Sequence, residues 1–361
     1  MPSHIRLPDH DSETLAPTAM PAARPVPLSA AHRRKLLLSY APDWIITIVL
    51  AAVFFSLDKV HGFRREFSVE DISLRFPFAV HERVPDFALY LIAIVAPVIL
   101  QGVINLLTIR SWWDLHNGLL GLALGLSIAG SVTQFTKLTV GRPRPDILDR
   151  CQPIPGSVDP VYRLSNASIC TTPLDSAIML DGFRSFPSGH SVCPFNFLSV
   201  ENIHNSFRSP SPFAGLGFLA FYLAGKLHLF DHRGYVAKAW ISLVPFAGAS
   251  LVAISRTMDS RHHWQDVLAG SILGTVVSYF SYRQYYPTLT SEVSHLPYAP
   301  RVGREDLNLP THHRQTSNSY RDDHATTDSV IDSGPLEGTV ARGAPSSLRE
   351  VWRDSRHHEE S

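Results

Sequence analysis

Net charge is the first thing this 361-residue chain lacks: 32 lysines and arginines balance 32 aspartates and glutamates. No bulk electrostatic argument therefore favours a nucleic acid as partner. Cysteine is scarce, at three residues, Cys151, Cys170 and Cys193. No internal repeat is present. Residues 1–40 hold no long apolar run, so no cleavable leader is expected. They read as a disordered cytoplasmic segment, with the basic cluster Arg33-Arg34-Lys35 near its end. Apolar runs are absent again from about residue 286, and 286–361 reads as a disordered cytoplasmic tail.

Between those ends lies hydrophobic length. Six charge-free apolar runs occupy 44–57, 87–109, 115–136, 209–225, 239–255 and 267–282. A helix that crosses a bilayer needs roughly 20 apolar residues, with about 17 as a lower limit. The second and third runs exceed that; the first reaches it only by extending through Asp43 or Asp58. The alternative, buried helices of a soluble protein, fits six such runs poorly. The expectation is an all-α integral membrane domain over 41–285, six transmembrane helices in a bundle. Trp44, Trp112, Trp113, Trp240 and Trp264 fall near run edges, as an interfacial belt would place them. Gly121 with Gly125, and Gly270 with Gly274, put small residues on one helix face and permit close helix contact. Cations flanking alternate runs assign both termini to the cytoplasm.

Three polar blocks then share the opposite, extracytoplasmic face. They are Lys137-Leu-Thr-Val-Gly-Arg-Pro-Arg144-Pro145, Pro187-Ser188-Gly189-His190, and Ser255-Arg256 followed by His262 and Asp266. The planar fork of arginine matches phosphate oxygens, and lysine adds a compact charge. Lys137, Arg144 and Arg256 together suit a phosphate monoester, with Arg142 a fourth candidate; snorkelling at a membrane edge is the plainer reading of Lys137 and Arg144. Backbone amides near Ser188 and Gly189 can bind an anion, with His190 beside it. His262 and Asp266 are four residues apart, so on a helix a carboxylate would orient one imidazole nitrogen and leave the other as a nucleophile. His263 is also within reach, and His262, His263 and Asp266 as metal ligands are the alternative. The chemistry assembled is covalent phosphoryl transfer. His262 attacks, Asp266 orients it, His190 protonates the leaving group, and the cations do the electrostatic work, so no cofactor is required in principle.

In these blocks the chain resembles the type 2 phosphatidic acid phosphatase family of integral-membrane lipid phosphate phosphatases, in particular its fungal diacylglycerol pyrophosphate phosphatase branch. Lys137 to Arg144-Pro145, Pro187 to His190, and Ser255-Arg256 to His262 and Asp266 match the family signature in order and spacing. The resemblance covers roughly 40–285 and selects Arg144 over Arg142 and His262 over His263. It implies a six-helix fold, Mg²⁺-independent dephosphorylation, and diacylglycerol pyrophosphate, phosphatidate or lysophosphatidate as substrate. The alternatives are a head-group phosphotransferase of the same fold and a catalytically weak protein that binds lipid phosphates.

The loop holding Cys151 and Cys170 also holds the sequon Asn166-Ala-Ser168. A disulfide and a glycan acceptor both suit an endomembrane or vacuolar lumen; two free thiols are the alternative. One stretch departs from the family pattern. Residues 192–212 separate Pro-Ser-Gly-His from the fourth span, contain Glu201, His204, Arg208 and three prolines, and make a poor spanning helix. Their first residue is valine, whose codon begins with the GT of an intron's 5′ end, so the stretch reads as a translated, unspliced intron or a gene-model error.

Overall fold

The computed structural model describes residues 30–58, 60–188, 212–231, 233–301 and 339–340. The described residues are helical apart from turns, loops and isolated bridges. In chain order the α-helices are α1 (Ala30–Asp58), α2 (Asp86–Tyr90), α3 (Ala96–Leu107), α4 (Trp112–Val140), α5 (Ile147–Cys151), α6 (Ala177–Gly182), α7 (Pro212–Lys226), α8 (Val236–Met258) and α9 (Trp264–Tyr285). A π-helical turn, Leu91–Val95, joins α2 to α3 without a break.

Among the described residues four helical segments are long and apolar enough to cross a membrane: Arg34–Leu57, Phe87–Leu107, Trp112–Val140 and Val236–Met258. Their outward faces carry large apolar side chains, among them Ile45, Ile48, Leu106, Leu107, Val244 and Leu251. Exposed apolar side chains in such number along these helices fit lipid rather than water. The described part of α7 is 15 residues long. Although α9 has 22 residues, it places Ser271, Ser278 and Ser281 along its length, and these hydroxyls donate to backbone carbonyls inside the helix.

The bundle is centred on α4, two-thirds of whose most apolar stretch is buried, against about a tenth for α1. It packs on α1, α7 and α9, and α7 packs on α8 and α9. The small residues make these approaches possible. A methyl group at Gly121 would meet the Phe218 ring at 2.7 Å, and one at Gly274 would meet Phe213 at 2.7 Å.

The helical boundary at the start differs from the sequence expectation. The first helix begins at Ala30 and carries Arg33, Arg34 and Lys35 in its opening turns, because nothing in 30–43 except Pro42 opposes a helix and Asp43 is paired with Arg301. At the other end 286–301 is packed rather than loose. Tyr286 and Ser294 are buried, Trp113 Nε1 donates to the Tyr298 carbonyl at 3.0 Å, and Arg301 grips Asp43 with both Nη atoms at 3.0 and 2.6 Å. This strap covers a buried ion pair, Lys226–Asp114 at 2.6 Å, whose acid also accepts from Tyr222, Tyr286 and Asn105.

At the opposite end the loops form a small cap. Cys151 and Cys170 are joined by a disulfide, and the buried Phe67, Leu74, Ile147, Met179 and Phe183 pack around Cys151. Asn166 of the sequon is exposed on this cap. The stretch 192–212 lies outside the described residues apart from Pro212, which opens α7.

Candidate active site

The chain leaves α4 through a glycine that nothing else can replace. Gly141 has φ +57°, and a Cβ there would lie 2.1 Å from the Phe63 carbonyl oxygen. Lys137 stands in the last turn of α4, and the exit leads directly into Arg142 and Arg144. The Arg144 backbone N–H donates to the Gly182 carbonyl at 2.8 Å and the Ser185 N–H to the Arg142 carbonyl at 3.1 Å. These bonds bring the first block against the segment leading into the second. The third block closes the group: the Ser188 N–H donates to the Asp266 carbonyl at 2.9 Å, and Gly270 lets α9 approach Ser188 closely. Lys137, Arg144, Ser188, Arg256, His262 and Asp266 are all buried at this one end. Gly189 and His190 lie outside the described residues.

His262 is 2% exposed, and its Nδ1 lies 2.8 Å from the Ser185 carbonyl oxygen. A carbonyl only accepts, so Nδ1 carries the proton and the lone pair falls on Nε2. Burial pushes the His262 pKa well below 6.5, and the charges of Arg144 and Lys137 push it further. The imidazole is therefore neutral at pH 7.

The expected hydrogen bond from Asp266 to His262 is not formed. Asp266 accepts from Arg142 Nη1 at 2.6 Å, from Ser185 Oγ at 2.5 Å, and from the His263 backbone N–H at 3.3 Å. The reason is local. His263 is the N-cap of α9, in extended conformation, and Asp266 closes a capping box with it. His262 therefore lies before the helix begins, and the one-face rule for residues four apart does not reach it. Among the described residues Asp266 and the imidazole meet only through Ser185, whose hydroxyl donates to the carboxylate and whose carbonyl accepts from Nδ1. His263 Nε2 faces the Pro143 carbonyl at 3.3 Å, and burial lowers its pKa, helped by Arg142. The Ser188 amide, expected to face an anion, is bonded to Asp266; any contribution from Ser188 falls to its hydroxyl.

The cations are deeply set. Arg144 is 5% exposed, donates to Asp181 at 2.7 Å, and has a buried Nε with no partner among the described residues. Burial lowers its pKa to about 10, with Asp181 opposing the shift, so it keeps its charge at pH 7. Arg256 is fully buried and donates to Glu82 at 2.6 Å and to the Val84 carbonyl at 2.8 Å. Arg142, paired with Asp266, is the more exposed arginine of the first block.

Sequence reasoning missed several members. Asp181 of α6 accepts from Arg144 and, at 3.0 Å, from Arg150. Arg150 in turn holds Asp146 bidentately, at 2.8 Å twice. Glu82 joins Arg256 and Arg261. Only the Asp146–Arg150 pair left a sequence signal, its spacing of four. Among the described residues no three His, Cys, Asp or Glu side chains are gathered so as to hold a metal ion.

Residues 118–289 match the PAP2 superfamily. The chain is 36% identical over 258 residues to a Schizosaccharomyces pombe protein named probable diacylglycerol pyrophosphate phosphatase 1, covering 71% of this chain and 84% of that one. It is 37% identical to lipid phosphate phosphatase 2 of Arabidopsis thaliana, over 68% and 77% of the two chains. It is 33% identical to diacylglycerol pyrophosphate phosphatase 1 of Saccharomyces cerevisiae, over 75% and 88%. No solved structure matches the chain.

Proposed function

The chain belongs to the PAP2 superfamily, and on that premise we propose that it dephosphorylates lipid phosphates at a membrane surface, without a metal, through a phosphohistidine. The observation that carries this reading is His262: buried, neutral, and with its Nδ1 proton committed to the Ser185 carbonyl. Such an imidazole presents Nε2 as a nucleophile without prior loss of a proton.

In the proposed sequence His262 Nε2 attacks phosphorus in line, the P–O bond to the lipid breaks, and His190 protonates the departing oxygen. With a pyrophosphate lipid the departing group is the remaining lipid monophosphate. Lys137, Arg144 and Arg256 stabilise the equatorial oxygens, together with the Ser188 hydroxyl and the Gly189 amide. The unpartnered Arg144 Nε supports this role, because a buried charged donor without an acceptor is costly and a phosphate oxygen would satisfy it. Water then attacks the phosphohistidine with His190 as base, releasing inorganic phosphate and restoring neutral His262.

Substrates of the diacylglycerol pyrophosphate, phosphatidate and lysophosphatidate class follow from the relatives' names and from the site's place at the end of an apolar bundle. Six spans, with α7 and α9 completing the four, and a site on the extracytoplasmic face of an endomembrane belong to the same proposal. The disulfide and the exposed sequon on the site's side support that face.

The test is phosphate release from diacylglycerol pyrophosphate and phosphatidate by membranes carrying the chain, with EDTA present. Release that resists EDTA and disappears in His262→Ala is expected. Release abolished by EDTA, or undiminished in the variant, overturns the mechanism.

A further inference from the structure

Glu82 lies in the loop between α1 and α2, far in sequence from every block of the site. Its two oxygens are divided between two arginines of the third block. Oε2 accepts from Arg256 Nη1 at 2.6 Å, and Oε1 lies 2.9 Å from Arg261 Nη2. The arginines are tied to each other through the backbone, the Arg261 N–H donating to the Arg256 carbonyl at 3.1 Å. The Phe78 ring lies under the Arg261 guanidinium, 4.5 Å from its carbon, a cation–π contact that fixes the plane of the fork.

Arg261 is incompletely used. Its side chain is 10% exposed. Nη2 also donates to the Ala79 carbonyl at 3.1 Å, Nη1 comes no closer than 3.9 Å to Asp181, and Nε is buried without a partner among the described residues. Glu82 is the outermost member, its side chain 19% exposed against 0% for Arg256. Cations outnumber carboxylates at this end: the buried Lys137, Arg144, Arg150, Arg184, Arg256 and Arg261, with Arg142, stand with Glu82, Asp146, Asp181, Asp259 and Asp266. Exchange of Glu82 for a phosphate dianion lowers that excess.

We propose that Arg261 is a second phosphate-binding arginine beside Arg256, and that Glu82 holds the pair's anion position until a phosphate group displaces it. A phosphate carries more charge than a carboxylate and a third oxygen, which reaches the donors that one carboxylate leaves unmet. The residue immediately before His262 thus becomes a binding residue, and the loop bearing Glu82 becomes the part that yields on entry. The inference rests on the phosphatase reading of the same site.

The experiment uses the full chain in detergent micelles, with inorganic phosphate as the probe. Two quantities are read: its inhibition constant against phosphatidate hydrolysis, and its protection of the protein from heat. Arg261→Met is expected to weaken phosphate binding on the order of tenfold, the loss of one charge-assisted contact. Glu82→Gln is expected to strengthen it by a similar factor. Opposite signs support the cradle. A purely structural ion pair would instead lower stability in both variants and leave the inhibition constant unmoved, or move it in the same direction, and either result overturns the proposal. Where Arg261→Met fails to accumulate, the sign for Glu82→Gln decides alone. Absence of phosphate release both from the unmodified chain and from one lacking 192–212 refutes the phosphatase reading, and heat protection, which needs no turnover, still decides the cradle.

Discussion

Replacement of Ser185 by alanine tests the indirect link between Asp266 and His262. The Ser185 carbonyl, which holds Nδ1, survives the change; only the hydroxyl that ties Ser185 to Asp266 is lost. Asp266 keeps Arg142 and the His263 amide, so no charge is stranded and the fold should tolerate the substitution. A hydrogen bond to a charged group contributes about 1.5–3 kcal/mol. If that bond fixes the carbonyl on which the imidazole turns, its loss lowers kcat by about 10- to 100-fold, with KM little changed. Asp266→Asn should cost more, because Arg142 then loses its counter-charge as well. The decisive measurement is the double variant. Residues acting in series give a combined loss close to that of Asp266→Asn alone, whereas independent contributions multiply. A silent Ser185→Ala, or losses that multiply, would show that Asp266 reaches His262 in another way and would refute the relay.

Three further outcomes are expected. His262 has its pKa depressed in the fold, so between that value and 6.5 the unfolded chain binds more protons; its contribution to stability is complete above 6.5 and declines as pH falls below it. Thermal unfolding followed from pH 7.5 to 5 should show that decline, and His262→Gln should flatten it. Cys170→Ser opens a link spanning 19 residues, for which loop entropy suggests a loss of about 3 kcal/mol; an unchanged melting temperature, with or without reductant, would count against it. Sequencing of mature transcripts should show 192–212 spliced out of most messages, and the shortened chain should release phosphate faster than the full one; a retained stretch with full activity would dispose of the intron reading.

Much of the site was legible because its residues travel in spaced blocks. Lys137, Arg144, Arg256, His262, Ser188 and Asp266 could be read off one line of sequence, and the fold brings them to one end of the bundle. Glu82, Asp181, Ser185 and Arg261 could not. Each is a single polar residue whose meaning comes from a partner distant in the chain or from a backbone carbonyl, and neither leaves a periodicity. A weaker clue was present: several arginines expected near one buried site require carboxylates, and the block residues supply too few. The ends of the domain were misplaced for a related reason. Tyr286, Leu289 and Tyr298 are interleaved with polar residues, so a search for apolar runs passes over a strap held by an aromatic ring here and a carbonyl there. The link between His262 and Asp266 was inferred from helical spacing that stops at the cap.

The serines of α9 bear on how the protein is made. A helix emerging into a bilayer is judged by its own hydrophobicity, and α9 falls outside the four segments that pass by length and composition. Its serine hydroxyls lie against its own carbonyls, Ser278 also against those of Phe213 and Ala214 in α7, and it packs on α4 and α7, which precede it in synthesis. On the six-span proposal its entry into the membrane depends on neighbours already in place. Because His262 and Asp266 stand at its head, the proposed nucleophile on that reading reaches the cations only after the earlier helices have gathered, and half-made copies of the chain are expected to be chemically silent.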